Sequence, residues 1–202
     1  MNGFDSLARI YEPLERLSFA GRLQEIRRFC LPYLSNCKRG LLIGDGDGRF
    51  SSELLQHNTG IEIDSVDISP RMLEVARRRA GVRSDRLRSH ACDALDHPYP
   101  TNAYDFVGLH FCLDCFSQDA IDRLLPQLEA SLRPGGLLAY SDFQANTPWQ
   151  TRVVQLLYLC FRLSAGLTTR RLPAVSWSDD FEPVARKECL RGLVFSQVLR
   201  KG

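Results

Sequence analysis

Leu41-Leu42-Ile43-Gly44-Asp45-Gly46-Asp47-Gly48 decides how this chain is to be read. A short apolar run ends in three alternating glycines, and residues 51–56 then open a helix. The run reads as a buried strand, while the glycines permit a sharp turn and close backbone approach to a ligand. The alternation recurs outward from there. Strands are expected at residues 63–68, near 87–91, at 104–110 and at 137–143, with helices over 70–80 and 118–132. Strands alternating with helices of about 10 to 15 residues specify parallel βαβ units in a doubly wound sheet. Ser69-Pro70 supplies a cap and a first-turn proline for the helix over 70–80. Arg133-Pro134-Gly135-Gly136 punctuates the step from the helix over 118–132 to the next strand.

The ends of the chain read differently. Residues 4–34 carry Leu14, Leu17, Leu23, Ile26 and Phe29 at helical spacing, broken by Pro13 and Gly21, so two helices or one broken helix are expected. A long helix over 149–165 follows the last parallel strand. Two β-like runs at 185–190 and 193–199 then flank Arg191-Gly192, the signature of a tight hairpin turn. The expected architecture is α/β: a doubly wound, mostly parallel seven-stranded sheet with N-terminal helices and a terminal antiparallel hairpin. It forms one domain, with a helical cap over 1–38, a core over 39–143, an insert helix and loop over 144–183 and the hairpin over 184–202.

Bulk properties narrow the class. At 202 residues, 44% hydrophobic and 25% charged, the chain suits a single globular domain. A net charge of +2 gives no push towards nucleic acid or anionic membrane. Residues 1–9 mix acid and base without a long apolar run, which is not a signal peptide. The apolar run over 153–161 is too short to span a bilayer and is flanked by Arg152 and Arg162. Seven cysteines, an odd number, point to a reducing compartment and a cytoplasmic protein.

The glycine loop narrows the ligand. Its spacing is G-x-G-x-G, whereas the dinucleotide fingerprint needs glycine where Arg49 stands. Asp45 and Asp47 would also repel a pyrophosphate. S-adenosylmethionine, with an ammonium, a sulfonium and one carboxylate, suits an acidic loop better. Asp67 ends the second strand, about 20 residues beyond the loop, where a carboxylate accepts hydrogen bonds from ribose hydroxyls.

Taken together, the motifs resemble the class I S-adenosylmethionine-dependent methyltransferases, especially the small-molecule branch that includes the ubiquinone/menaquinone-type enzymes. The resemblance runs from about Arg39 to Phe143. Residues 41–48 look like the first motif and residues 67–73 like the second. Cys92-Asp93-Ala94 resembles the adenine-contacting step, Tyr104-Asp105-Phe106-Val107 the entry to the fourth strand, and Leu132-Arg133-Pro134-Gly135-Gly136 the prelude to the fifth. The resemblance implies a Rossmann-like fold and S-adenosylmethionine as cofactor. It implies that Gly44, Gly46 and Gly48 line the methionine moiety and that Asp67 holds the ribose. Asp93 and Ala94 would then flank the adenine, Met72 and Ile68 would pack near its ring, and His110 would face the methionine end. Leu42, where many relatives carry an acidic residue, and Asp45, where Cys or Ser is common, depart from the pattern.

Methyl transfer needs no obligatory triad, because alignment of the partners can supply much of the acceleration. For a hydroxyl acceptor, His110 and Asp142 are candidate bases, each at a strand's C-terminal end. Tyr11, Phe111, Phe143 and Trp149 are candidate acceptor or sulfonium contacts. Arg170 and Arg171 could clamp an anionic acceptor or merely cap the long helix. Cys112-Leu113-Asp114-Cys115 reads as buried thiols rather than a metal site, and Arg77-Arg78-Arg79 as a solvated face. The helix over 149–165 is apolar nearly all round, so burial on more than one side is expected, as a lid over a hydrophobic acceptor or as a dimer interface. The expected partner is a small molecule, with no nucleic acid and no membrane span, in a monomer or homodimer. A binding-only relative and, less readily, an NAD-type oxidoreductase are the alternatives.

Overall fold

The computed structural model describes residues 21–165 and 172–202. Among them the helices are α1 (Arg22–Arg28), α2 (Arg49–His57), α3 (Pro70–Ala80), α4 (Gln118–Ser131) and α5 (Pro148–Ala165). The strands are β1 (Arg39–Ile43), β2 (Glu62–Asp67), β3 (Leu87–Ala91), β4 (Tyr104–His110), β5 (Leu132–Phe143), β6 (Phe181–Cys189) and β7 (Val194–Lys201). They form one sheet in the order β3-β2-β1-β4-β5-β7-β6. β1 to β5 run parallel, whereas β7 pairs antiparallel with both β5 and β6. This is the expected seven-stranded architecture, including the terminal hairpin.

Burial explains why the inner strands read as apolar runs. β4 is buried at every position, and β1 at all but its first. A parallel sheet covered on both faces needs such strands. One face packs Leu41, Val107, Leu109 and Leu138 against Leu124 and Leu128 of α4. The other packs Leu42, Phe106 and Ala139 against Phe50 and Leu54 of α2 and Ala76 of α3. Strand order reverses between β1 and β4, which opens a crevice at the C-terminal ends of those strands.

Three elements depart from the sequence expectation. β5 begins at Leu132 rather than 137, because Leu132 pairs with Tyr104 ahead of an irregularity in the ladder. β6 begins at Phe181, so the expected boundary at residue 184 falls inside a strand. Pro183 is tolerated there because β6 is the sheet edge, where a missing donor costs little. α5 is buried on one side among its described side chains. Val154 and Tyr158 are buried, whereas Leu156 is 61% and Leu159 43% exposed, so its apolar residues are not all covered among the described residues.

The loop itself depends on close packing. Gly44, Gly46 and Gly48 all have positive φ. A Cβ on Gly48 would meet the Cα and Cβ of Ala76 at 2.4 Å, whereas one on Gly46 would have nothing within 4 Å. Gly48→Ala should therefore destabilise the fold by clearly more than the ~1–2 kcal/mol that left-handed backbone alone costs. Gly46→Ala should cost no more than that backbone penalty. Urea melts of the two variants check this, and equal losses would argue against the contact between the loop and α3.

Candidate functional site

At the crevice lies a cavity of about 280 Å3, walled by residues 43–47 and by Val66, Asp67, Ile68, Met72, Cys92, Asp93 and Ala94. The loop, the end of β2, the first turn of α3 and the turn after β3 thus converge on one space. Asp67 is the clasp. Its carboxylate accepts from the Gly46 N–H at 3.3 Å and from the Ser69 N–H at 2.9 Å, tying the loop to the start of α3. Ser69 in turn caps α3 by accepting from the Met72 N–H at 3.2 Å. Asp93 shapes its own turn by accepting from the Leu95 N–H at 2.9 Å. Ile68 is 47% exposed yet stands on the cavity wall. With Val66, Met72 and Ala94 it offers an apolar face beside two carboxylates, a surface for a flat ring attached to a hydroxylated sugar.

The two loop aspartates do not act as a matched pair of free negative charges. Asp47 is buried and paired with Arg49 Nε at 3.0 Å and with Arg79 at 2.9 Å, and Arg79 Nε also donates to the Asp47 carbonyl. Arg79 is therefore not simply part of a solvated face, because it ties the loop to α3. Asp45 accepts from the Ser51 N–H at 3.2 Å. Burial raises its carboxyl to about 7, against the pull of Ser51 and of the Arg27 charge. The acidity read from the sequence is largely cancelled. What survives against a dinucleotide is Arg49, which stands on the wall where that fingerprint needs glycine.

Arg27, Arg49, Phe50, Cys92, Cys115 and Phe116 also line the cavity. Arg27 and Phe116 carry no motif signal, since only tertiary folding brings α1 and the segment after β4 to the loop. Cys112 and Cys115 occupy a short 3-10 turn. Burial raises both thiols well above their ordinary range. Among the described residues, no three His, Cys, Asp or Glu side chains gather as a metal-holding group.

His110 and Asp142 lie behind this wall rather than on it. His110 is buried, with its ring 4.3 Å from that of Phe50. Its Nδ1 is 2.9 Å from Ser141 Oγ, which is in turn hydrogen-bonded to Ser196 Oγ at 2.8 Å. Nε2 has no partner among the described residues. Burial, then the Arg27 charge, pushes the imidazole down to about 3. Asp142 accepts from Tyr140 Oη at 3.2 Å and from the Phe143 N–H at 2.8 Å. Burial and the neighbouring Asp114 push it well up.

Phe111 and Phe143 pack edge to face at 5.4 Å, and the Arg27 guanidinium lies over the Phe111 ring. Phe143 also lines a second cavity of about 750 Å3 beside α5, with Tyr140, Val154, Leu172, Arg186 and Phe195. Trp149 is exposed and lines neither cavity. Tyr11, Arg170 and Arg171 lie outside the described residues.

Residues 41–136 match the family model of a methyltransferase domain. The chain is 34% identical over 142 residues to demethylmenaquinone methyltransferase of Thermus thermophilus, covering 69% of this chain and 64% of that protein. Over that span the chain resembles the class I S-adenosylmethionine-dependent methyltransferases. It spans just under two thirds of that curated relative. Solved structures share its fold. N-methyltransferase NodS from Bradyrhizobium japonicum, in complex with S-adenosyl-L-homocysteine, superposes with a TM-score of 0.66 at 16% identity, over 90% of this chain and 86% of that one. The 1,6-didemethyltoxoflavin-N1-methyltransferase of Burkholderia thailandensis gives 0.64 at 19% identity, over 95% and 83%.

The buried imidazole gives a pH test. An unfolded histidine binds a proton below about 6.5, whereas His110 stays neutral down to about 3. Between those values the unfolded chain takes up the extra proton. Stability should therefore drop as the pH is lowered through this window, by up to ~1.4 kcal/mol per unit, and be unaffected by this group above about pH 6.5. Urea melts of wild type and His110→Gln from pH 4 to 7.5 should show the difference in slope, and parallel curves would contradict it.

Proposed function

We propose that the chain transfers a methyl group from S-adenosylmethionine to a small acceptor of hydrophobic or anionic character. One observation carries this reading: the glycine loop, Asp67 and Asp93 meet around one cavity at the strand-order reversal. The residues fit the donor. A Cβ on Gly46 would enter open space, so the loop backbone can approach a ligand closely. Asp67 would take the ribose hydroxyls, while Asp93 and Ala94 would flank the adenine, with Ile68 and Met72 against its ring. When bound, the sulfonium supplies an electrophilic methyl carbon.

The chain's own contribution is alignment and exclusion of water. Burial leaves the His110 imidazole a far weaker base than an ordinary histidine and pushes the Asp142 carboxyl well up. Catalysis then rests on positioning, an effect that can reach about 7–11 kcal/mol. The aromatic walls of the second cavity support a hydrophobic acceptor, and Arg186 beside them supports an anionic one. The Phe111–Phe143 pair lies between Arg27 of the first cavity and the second cavity. A cytoplasmic monomer or homodimer without a nucleic-acid partner completes the proposal. It is supported by a charge of +2 and by free thiols at Cys30, Cys37, Cys92, Cys112, Cys115 and Cys189. No described helix is long and apolar enough to cross a membrane.

Calorimetric titration tests the donor. S-adenosylhomocysteine should bind and NADH should not. Asp67→Ala should weaken binding about 10- to 150-fold, the worth of a hydrogen bond to a charged group. No heat with S-adenosylhomocysteine at millimolar concentration would end the proposal. For the acceptor, Phe143→Ala should raise KM at least severalfold while leaving donor affinity unchanged. A loss confined to donor binding would separate the second cavity from the reaction.

A further inference from the structure

Tyr158, on α5, carries a buried hydroxyl that has no hydrogen-bond partner among the described residues. The residue is only 7% exposed and lies beyond the matched residues 41–136. A polar group buried without a partner is costly, so its presence calls for a function. Tyr158 lines a small cavity of about 10 Å3 with Asp114, Phe143, Val154 and Leu157. That volume admits about one oxygen-sized group.

Two carboxyls set the charge around this cavity. Asp114 and Asp142 are both buried. Asp142 accepts from Tyr140 Oη and the Phe143 N–H, and Asp114 from Cys115 Sγ at 3.6 Å. Burial raises both carboxyls, and the Asp114 charge adds to the rise at Asp142. Burial, and then the charges of Asp114, Asp142 and Cys115, also keep the Tyr158 hydroxyl protonated. That hydroxyl stands in the field of the carboxyls as a donor. A further negative charge in the cavity would be repelled, whereas an uncharged oxygen would complete Tyr158.

The cavity lies between the two larger ones. Cys115, bonded to Asp114, lines the donor cavity. Phe143 and Val154 line both the small cavity and the second cavity. A ligand in the second cavity can therefore lay an apolar body along Phe143 and Val154 and direct one polar group inwards to Tyr158. Arg186 stands on the wall of the second cavity, over the Phe195 ring at 4.4 Å and bonded to Gln144 and Gln197. It gives any anionic group of that ligand a place outside the small cavity.

Resting on the methyl-transfer reading above, we infer that Tyr158 receives an uncharged hydroxyl or carbonyl oxygen of the acceptor, while Asp114 excludes an anion from that position. Acceptors are thereby restricted to apolar molecules that carry such an oxygen at the end nearest the donor. Tyr158 donates to the lone pair of that oxygen and fixes the depth at which the acceptor lies.

The full chain is titrated first with S-adenosylhomocysteine and then, saturated with it, with p-cresol and with p-xylene, which replaces the hydroxyl by a methyl group. p-Cresol should bind more tightly. Tyr158→Phe should lower its affinity about 2- to 13-fold, one neutral hydrogen bond, and leave p-xylene unchanged. 4-Nitrophenol reports charge by its absorbance: at neutral pH it should be held as the colourless phenol, and Asp114→Asn should admit more of the yellow phenolate. Circular dichroism melts establish that each variant is folded. p-Xylene bound as tightly as p-cresol by the wild type overturns the inference, as does binding of neither at millimolar concentration. Unchanged or equally weakened binding of both by folded Tyr158→Phe also overturns it, by reducing Tyr158 to packing. Preferential capture of the phenolate overturns the exclusion of charge. These outcomes, with S-adenosylhomocysteine still bound, leave the donor reading intact, whereas no binding of S-adenosylhomocysteine ends the donor reading and this inference with it.

Discussion

The contact between Gly48 and Ala76 sets the separation of the glycine loop from α3, and with it the shape of the donor cavity. Hydrogen bonds reinforce that approach from both sides. Asp67 joins the Gly46 and Ser69 amides, and Arg79 reaches from α3 to the side chain and carbonyl of Asp47. Apart from the Asp67–Ser69 bond, none of these contacts is local in sequence. Together they turn a flexible run of glycines into a wall with one shape, which is the preorganisation that binding requires.

Charge follows the same economy. The carboxylates nearest the loop are offset by guanidiniums or raised by burial, whereas Asp67 and Asp93 stand at the β2–β3 side of the cavity. The buried imidazole of His110 stays neutral among Phe50, Ser141 and Ser196. Alignment of two reactants in such a setting can by itself supply much of the acceleration of a displacement.

The C-terminal half extends the same core with a second cavity. β7 inserts antiparallel beside β5 and carries Phe195 to the second cavity, while α5 covers it with Val154. The outer side of α5 leaves Leu156 and Leu159 exposed. The Phe111–Phe143 pair couples this half to the donor cavity through ordinary aromatic packing.

The sequence by itself determined the order and type of the elements, because buried parallel strands are written as apolar runs and helices as periodic ones. It also picked out Gly44, Gly46, Asp67, Asp93 and Ala94, which the fold gathers on one cavity wall, whereas Gly48 is not on that wall and packs against Ala76. Strand limits at Leu132 and Phe181 were not legible, being fixed by pairing partners remote in sequence. The charge state of the loop was misread for the same reason: Asp47 meets Arg79, 32 residues away, only after folding. Tertiary structure alone decided that His110 and Asp142 stand behind the cavity wall and that Arg27 stands on it. A chain can announce which groups it owns, but burial, and so proton affinity and access, belongs to the packed fold.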